Sequence, residues 1–428
     1  LERPLSPKTT RVSIETLGCK LNQAESEEIG RDLAESGCLI VGKDEPADIC
    51  LVNTCSVTHV ADRKSRHSLR LARRRNPDAC VVGLGCAVEG GDCGIGRLEG
   101  VDLLLDNAGK ENVVAVLRQK GLVPAEAFSY QPSRVPGRTR SFLKVQSGCD
   151  LFCSYCVVPG ARGREISLPP ERIVAALQRR ELEGYREAVL TGTEVGRYCS
   201  QEVGLKSLIE KVLAATDLPR LRISSLQPQE ITSELLELWD NRRLCPHFHL
   251  SLQSGSDSVL ARMRRRYSVV DFRRVIGLVR AQIPQASITT DIIVGFPGET
   301  EQEFQESCDL CREIGFSHIH VFPYSRREGT EAAGLPGQLG AKEKNCRTIA
   351  MLELAAESQK NTFENSVGQT LPVLFEQGRN SLWWGLSDNY LKVYVRSQED
   401  LSNQILKVAI GGTFRDGLSG EPVGTYSR

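Results

Sequence analysis

Gly148-Cys149-Asp150-Leu151-Phe152-Cys153-Ser154-Tyr155-Cys156 places three cysteines in one short loop. A C-x3-C-x2-C loop can hold three irons of a four-iron cluster and leave the fourth open, whereas four thiolates would close the cube into an electron carrier or a structural knot. A zinc reading needs a fourth ligand close by. The next cysteine is Cys199 and the next histidine is His247, so no short-range tetrahedral set is at hand. Ordinary core packing explains such dense cysteine spacing still less well.

Outward from this loop, six apolar strand-like runs follow one another: Phe142–Ser147, Ala188–Gly192, Leu221–Leu226, His247–Gln253, Ser287–Phe296 and His318–Tyr324. Helical patterns separate them at Pro170–Gly184, Leu205–Ala215, Gln229–Trp239, Val269–Gln282 and Glu301–Ile314. Repeated strand-helix units predict a partial parallel (β/α)6 barrel, with chemistry at the mouth formed by the carboxyl ends of the strands. The cysteine loop, Thr191-Gly192-Thr193-Glu194, Gln227-Pro228, Gln253-Ser254-Gly255, Gly295-Phe296-Pro297-Gly298-Glu299 and Tyr324-Ser325-Arg326 all fall there. His247-x-His249 and His318-x-His320 each put two imidazoles on one strand face, to bind metal or to line a filled barrel. Cys308 and Cys311 lie in a helical pattern with no partner pair and read as incidental.

Before the loop, strand, helix, strand, helix, strand reads as an open parallel sheet. The strands Arg11–Gly18, Ala47–Thr54 and Ala79–Gly85 each stop at a cysteine: Cys19, Cys55 and Cys86. Ligands of such sheets gather beyond the carboxyl ends of the strands, so a second three-cysteine site is expected on one sheet edge. Three small apolar residues capping buried strands, as expected of Cys38, Cys50 and Cys80, is the competing account.

A polar, proline-bearing linker is expected at Pro132–Pro136. The last sixty or so residues carry short β-branched and aromatic runs broken by Asn, Asp and Gly, which predicts a small antiparallel β-barrel, with Trp383 and Trp384 either exposed for RNA or buried as core. The resulting division is 1–130, 131–365 and 366–428. Lys plus Arg equals Asp plus Glu at 54 each, so net charge gives no global pull toward nucleic acid. Positive charge is nevertheless concentrated at Arg63, Lys64, Arg66, Arg70, Arg73, Arg74 and Arg75, and again at Arg262, Arg264, Arg265 and Arg266. Fifteen cysteines without an apolar segment in Leu1–Thr10 favour a reducing, cytoplasmic setting over a secreted disulfide framework. No run is long and apolar enough for a membrane span.

With these residues in view, the chain resembles the radical S-adenosylmethionine methylthiotransferases over nearly its whole length. The loop matches that superfamily's C-x3-C-x-aromatic-C signature with Tyr155 as the aromatic, and Cys19, Cys55 and Cys86 match the family's auxiliary-cluster ligands. The terminal barrel resembles the TRAM module of RNA-modifying enzymes. The strings Glu15–Ser26 and Asn53–Thr58 resemble the branch that acts on N(6)-threonylcarbamoyladenosine beside the tRNA anticodon. Sister branches modify isopentenyladenosine in tRNA or an aspartate of a ribosomal protein. The sequence departs from the family pattern after Cys86, at Ala87-Val88-Glu89 and the glycine-rich stretch through Gly96, and at Gly160, where a tyrosine is common.

The resemblance implies two 4Fe-4S clusters, one on Cys149, Cys153 and Cys156 and one on Cys19, Cys55 and Cys86. It also implies S-adenosylmethionine as cofactor, a tRNA anticodon stem-loop as partner and an electron donor such as flavodoxin or ferredoxin. A purine carbon-hydrogen bond has no useful acidity, so no His or carboxylate base would activate it at neutral pH. The expected cofactor contacts are Tyr155 (backbone, to adenine), Gly192 (methionyl amino group), Gln253 and Ser254 (ribose) and Gly295 (close backbone approach). Strand-end turns and a solvated loop residue are the alternatives for Gly192, Gly295 and Gln253. A non-catalytic iron-sulfur protein that binds RNA is the alternative from another functional class.

Overall fold

The computed structural model describes residues 9–89, 98–124 and 138–425. The expected linker at Pro132–Pro136 and the glycine-rich stretch through Gly96 lie outside the described residues. The chain forms two compact units, with Gly148–Leu151 and Cys156–Glu165 belonging to the amino-terminal one and Phe152–Tyr155 to the other.

The first unit is built on a parallel sheet of β1 (Arg11–Thr16), β2 (Leu39–Val41), β3 (Ile49–Thr54), β4 (Cys80–Gly85) and β5 (Leu103–Leu105), in the order β2-β1-β3-β4-β5. Every residue of β3 is buried, as a central parallel strand covered on both faces requires. Strand order reverses between β1 and β3, and the crevice beyond their carboxyl ends is where doubly wound sheets bind ligands. Helices α1 (Lys20–Glu35) and α2 (His59–Arg75) follow β1 and β3. Thr58 caps α2 by accepting from Ala61 N at 3.1 Å, whereas Cys19 stands at the N-cap of α1 with no side-chain capping bond. Cys38 and Cys50 are buried and Cys80 is half-buried, as expected of core thiols.

In the second unit, β6 (Arg140–Lys144), β7 (Glu187–Thr191), β8 (Arg220–Ile223), β9 (His247–Leu250), β10 (Ser287–Val294) and β11 (His318–Pro323) form a parallel arc. The third run is broken at Ser224: β8 pairs with β7, and its continuation Ser225–Leu226 pairs with β9. Helices α3 (Pro170–Leu182), α4 (Leu205–Ala215), α5 (Val269–Gln282), α6 (Glu301–Ile314) and α7 (Ala341–Ser366) accompany the arc. Two expectations change here. The helix foreseen over Gln229–Trp239 is a chain of single turns, Pro228–Glu230, Ser233–Leu236 and Glu237–Asp240, and α7 was not foreseen at all. Its apolar stripe is thin, with Met351, Leu354, Ala355 and Phe363 buried.

The carboxy-terminal strands β12 (Thr370–Arg379), β13 (Leu382–Ser387), β14 (Lys392–Arg396), β15 (Ile405–Phe414) and β16 (Gly417–Thr425) close into a barrel ordered β12-β13-β14-β16-β15. It departs from the expected antiparallel form at one joint, where β14 and β16 pair in parallel. The barrel docks on the amino-terminal ends of the arc strands. Arg220 donates to Pro372 O (2.6 Å) and Leu386 O (3.0 Å), Arg222 donates to Asp388 O (2.9 Å), and Tyr390 stacks on His247 at 4.5 Å. Glu187, fully buried, accepts from Arg222 Nε at 2.8 Å and lies 3.6 Å from Arg220. A paired carboxylate lets these guanidiniums be buried at all. The carboxyl ends of the strands, where the predicted mouth segments lie, are the opposite ends.

Candidate active site

The three strand-end cysteines are brought together. Gly18, at φ +92°, leaves no room for a Cβ, which would stand 2.7 Å from Cys55 Sγ. That glycine therefore lets the turn carrying Cys19 close onto the end of β3. The Cys55 thiol is pushed up to about 11, first by burial and then by the neighbouring Cys19 and Cys86. Asn107 reaches Cys86 Sγ through Nδ2 at 3.6 Å. Among the described residues, one group of three possible metal ligands closes to within 4.8 Å of one another, and it is His249, Asp291 and His320.

Beneath these cysteines runs a buried polar network that the sequence reading missed. Glu25 of α1 accepts from Lys110 Nζ (2.6 Å) and from both terminal nitrogens of Arg162 (2.8 and 3.2 Å). Arg162 Nη2 also donates to Asn22 Oδ1 at 2.5 Å. Asn22 in turn donates to Leu17 O and Thr54 O (2.7 and 2.9 Å), and Asn53 donates to Asn22 O and Ser26 Oγ (both 2.9 Å). Leu17 and Thr54 directly precede the Gly18-Cys19 turn and Cys55, so the network fixes the backbone that presents the thiols. Burial alone would raise the Glu25 carboxyl, but Lys110 and Arg162 override it and hold the group near 2. Arg162 remains charged, drawn by Glu25 and also by Cys86 and Cys19. A fixed cation therefore lies within electrostatic range of all three thiols.

The C-x3-C-x2-C loop starts from a second obligatory glycine. Gly148 has φ +78°, and a Cβ there would meet Arg164 O at 1.8 Å. Cys149 N donates to Gly163 O at 3.2 Å, and its Sγ accepts from Leu151 N at 3.5 Å. Phe152 takes a left-handed φ of +50° and is exposed. Cys149 is buried, and Cys153 and Cys156 are half-buried. In the second unit, Ser154 is tied by its N to Met263 O (3.1 Å) and by its hydroxyl to Arg262 O (2.7 Å). Arg265 donates to Cys153 Sγ at 3.4 Å and to Tyr267 OH at 3.1 Å. Its guanidinium is held firmly protonated by Tyr267, Tyr155 and Cys153, against the pull of burial.

The run Arg262–Arg266 is therefore not one basic surface. Arg262 pairs with Glu303 at 2.8 Å, Arg264 with Glu331 at 2.5 Å, and Arg265 turns to the cysteine. On α2, Arg63, Lys64, Arg70 and Arg74 are exposed, while Arg73 is spent on Asp102 and on Gly100 O, Pro77 O and Ala79 O.

The expected cofactor contacts fall in different surroundings. Tyr155 packs edge-on to Phe296 at 6.4 Å. Gly192 lies against Gln146, whose O would stand 2.8 Å from an added Cβ. Gln253 holds a left-handed φ of +69° where its N donates to Asp291 O at 2.8 Å, a strained conformation of the sort kept at ligand sites. Ser254 is fully buried, with its hydroxyl on Ser307 Oγ (3.2 Å) and accepting from Ser256 N (3.2 Å). Its hydroxyl is thus engaged within the protein. Gly295, at φ +73°, gives its N–H to Glu299 at 2.7 Å, and a Cβ there would strike Lys344 Cγ at 2.4 Å. Cys308 and Cys311 are core residues whose thiols are raised by burial.

A parallel arc whose mouth carries a C-x3-C-x2-C loop defines a radical S-adenosylmethionine protein, and the model of the Radical SAM superfamily matches residues 143–311. That of Uncharacterized protein family UPF0004 matches residues 11–106. The threonylcarbamoyladenosine tRNA methylthiotransferase MtaB of Bacillus subtilis is 35% identical, covering 93% of each chain, and its namesake from Chlamydia pneumoniae is 35% identical over 95% of this chain and 97% of its own. A tRNA-2-methylthio-N(6)-dimethylallyladenosine synthase of Methylacidiphilum infernorum is 34% identical over 85% of this chain and 84% of its own. The fold is similar to that of the radical S-adenosylmethionine methyltransferase TsrM from Kitasatospora setae, with a TM-score of 0.54 at 15% identity over 76% of this chain and 74% of that one. The chain belongs to the radical S-adenosylmethionine tRNA methylthiotransferase family.

Proposed function

We propose that this protein adds a methylthio group to carbon 2 of N(6)-threonylcarbamoyladenosine next to the tRNA anticodon. Cys19, Cys55 and Cys86 would hold one 4Fe-4S cluster, and Cys149, Cys153 and Cys156 a second. The observation that carries the reading is the convergence of three strand-end thiols around a fixed cation in a chain that also bears the three-cysteine loop. The residues fit the groups in their chemistry: each set offers three thiols, the number that anchors a four-iron cube and leaves one iron open. When bound, the clusters and S-adenosylmethionine supply one-electron chemistry able to break an inert carbon-hydrogen bond and a place to carry sulfur.

The protein's own residues set the conditions for that chemistry. Arg162 offsets negative charge at Cys19 and Cys86, Asn107 orients Cys86, and Arg265 gives Cys153 a charge-assisted hydrogen bond. Because the Cys55 thiol is protonated at neutral pH, loading its site releases a proton. Exposed Arg63, Lys64, Arg70 and Arg74 attract the phosphates of an anticodon stem-loop.

The terminal barrel supports RNA contact through a cavity of about 570 Å³ lined by Trp384, Tyr394, Arg379, Arg396 and Arg415. Lys392 Nζ stands 5.0 Å over the Trp384 ring. Trp383, by contrast, packs on the barrel core. Aromatic faces flanked by cations suit unstacked bases. The modules of the proposal are 1–130, 131–365 and 366–428. A small one-electron donor such as flavodoxin or ferredoxin and a cytoplasmic setting complete it. No helix among the described residues is long and apolar enough to cross a membrane.

The test is anaerobic incubation of the cluster-loaded protein with S-adenosylmethionine, a reductant and anticodon stem-loops, followed by nucleoside mass spectrometry. Stem-loops bearing threonylcarbamoyladenosine should gain the methylthio mass and those bearing isopentenyladenosine should not. The reverse preference moves the protein to the sister tRNA branch, and S-adenosylmethionine cleavage with neither RNA modified refutes the tRNA substrate.

A further inference from the structure

The interior of the six-strand arc carries a polar grid that the chemistry above does not use. Parallel strands covered by helices are normally apolar on both faces. Here alternate positions of three neighbouring strands are polar: His247 and His249 on β9, Thr289 and Asp291 on β10, His318 and His320 on β11. The register pairs His249 with Thr289, Thr289 with His318, and Asp291 with His320. Strand alternation then puts all six side chains on one face.

Within that grid, one ligand atom each of His249, Asp291 and His320 lie within 4.8 Å of one another. His249 Nε2 is 3.1 Å from Asp291 Oδ2. Burial falls across the set, with His249 buried, Asp291 half-buried and His320 exposed, so the group opens to solvent on one side.

We infer that His249, Asp291 and His320 form a binding site for one divalent first-row transition-metal ion, distinct from both cysteine sets. Two imidazoles and a carboxylate are the donor set that such ions take in open, three-ligand sites. Ligands at about 2.0–2.2 Å from a shared ion stand roughly 3.0–3.5 Å from each other, and the 3.1 Å separation of Nε2 and Oδ2 already matches. An outer partner is also in place. Thr289 Oγ1 lies 2.9 Å from His249 Nδ1 and 3.1 Å from His247 Nε2. When the hydroxyl accepts from Nδ1–H and donates to His247, the Nε2 lone pair of His249 faces the Asp291 carboxylate, an arrangement that a cation stabilises. Such a hydrogen bond to the far nitrogen is the usual device for orienting a metal-binding imidazole. His318 packs edge-on against His320, ring to ring at 4.4 Å, and so helps hold that imidazole in place. Coordination positions not taken by the three side chains are left to oxygen ligands such as water, which the exposed side at His320 admits.

The probe is Co2+, titrated into anaerobic protein whose six cluster cysteines are already loaded, with visible absorption and calorimetry read together. One Co2+ per chain should bind, displaceable by Zn2+ and without a thiolate-to-cobalt charge-transfer band. H320A, at an exposed position that leaves folding intact, should weaken binding at least tenfold, D291N likewise, and T289V by roughly tenfold, all with unchanged iron content. No Co2+ uptake, equal uptake in H320A and D291N, or a thiolate band overturns the site. Loss of uptake in D291N with full retention in H320A and T289V reduces it to a His249–Asp291 ion pair with surface binding, and equally refutes it.

Discussion

The two cysteine sets are held by opposite means. Cys149, Cys153 and Cys156 are neighbours in sequence, shaped by the left-handed Gly148, the left-handed Phe152 and short loop hydrogen bonds. Cys19, Cys55 and Cys86 come from the ends of three adjacent strands and meet only because β1, β3 and β4 are neighbours in the sheet. Their positions rest on a buried network of Asn22, Glu25, Asn53, Lys110 and Arg162. A local loop gives up its geometry one backbone torsion at a time, whereas the strand-end set depends on tertiary structure and on charges that cannot be left unpaired.

The largest effect that separates the two is expected from Glu25→Ala. It strands the charges of Lys110 and Arg162 in a buried site and should cost roughly 3–5 kcal/mol in denaturant unfolding. Metal retention by the strand-end set should fall, and that of the loop set should be spared. If both sets lose iron equally, the contrast fails.

Acid should expose the same dependence. The folded Glu25 carboxyl is held near 2, below its unfolded value of about 4.5, so its stabilisation is complete above pH 4.5 and is lost as pH falls toward 2. Its full span is about 3 kcal/mol. Glu187, also near 2 through Arg222, Arg140 and Arg220 despite complete burial, adds a similar loss in the second unit. A pH series of unfolding midpoints should therefore be steep between 4.5 and 2. Glu25→Gln should remove its share of the slope and leave that of Glu187; an unchanged slope would contradict the pairing.

Gly148→Ala tests the loop side. Alanine at φ +78° with a carbonyl 1.8 Å from its Cβ should cost roughly 1–3 kcal/mol. It should lower iron retention by the loop set alone, read as iron per chain after gel filtration. Smallest of all, Arg265→Gln removes a cation from Cys153. It should lower the midpoint potential of the loop cluster by tens of millivolts and leave the other unchanged, because hydrogen bonds and charge at the sulfurs set such potentials. Equal shifts in both clusters would place Arg265 elsewhere in the account.

These contrasts also mark what the sequence made legible. Spacing alone picked out the loop; strand ends marked Cys19, Cys55 and Cys86 as one sheet edge, because a parallel sheet turns sequence ends into one spatial edge, but left core capping open until the family resemblance was added. The Glu25–Lys110–Arg162 network was not legible: its members lie on separate elements, and a charged residue in a helical pattern reads as solvated until a partner arrives from far along the chain. Arg265 was hidden for the same reason, inside a run that resembled plain basic surface. The hydrogen bond of Ser254 to Ser307 was hidden too, because its partner lies 53 residues further along the chain. Strands β2 and β5 escaped notice because each is three residues long at a sheet edge.

The most direct test of the central claim is iron and sulfide counting, with Mössbauer spectra, on anaerobically reconstituted protein and on two triple variants, C19S/C55S/C86S and C149S/C153S/C156S. Two clusters of about four irons each predict about eight irons per chain in the parent and about four in each variant. Iron content that is the same in the parent and in either variant would contradict the assignment of a cluster to that set.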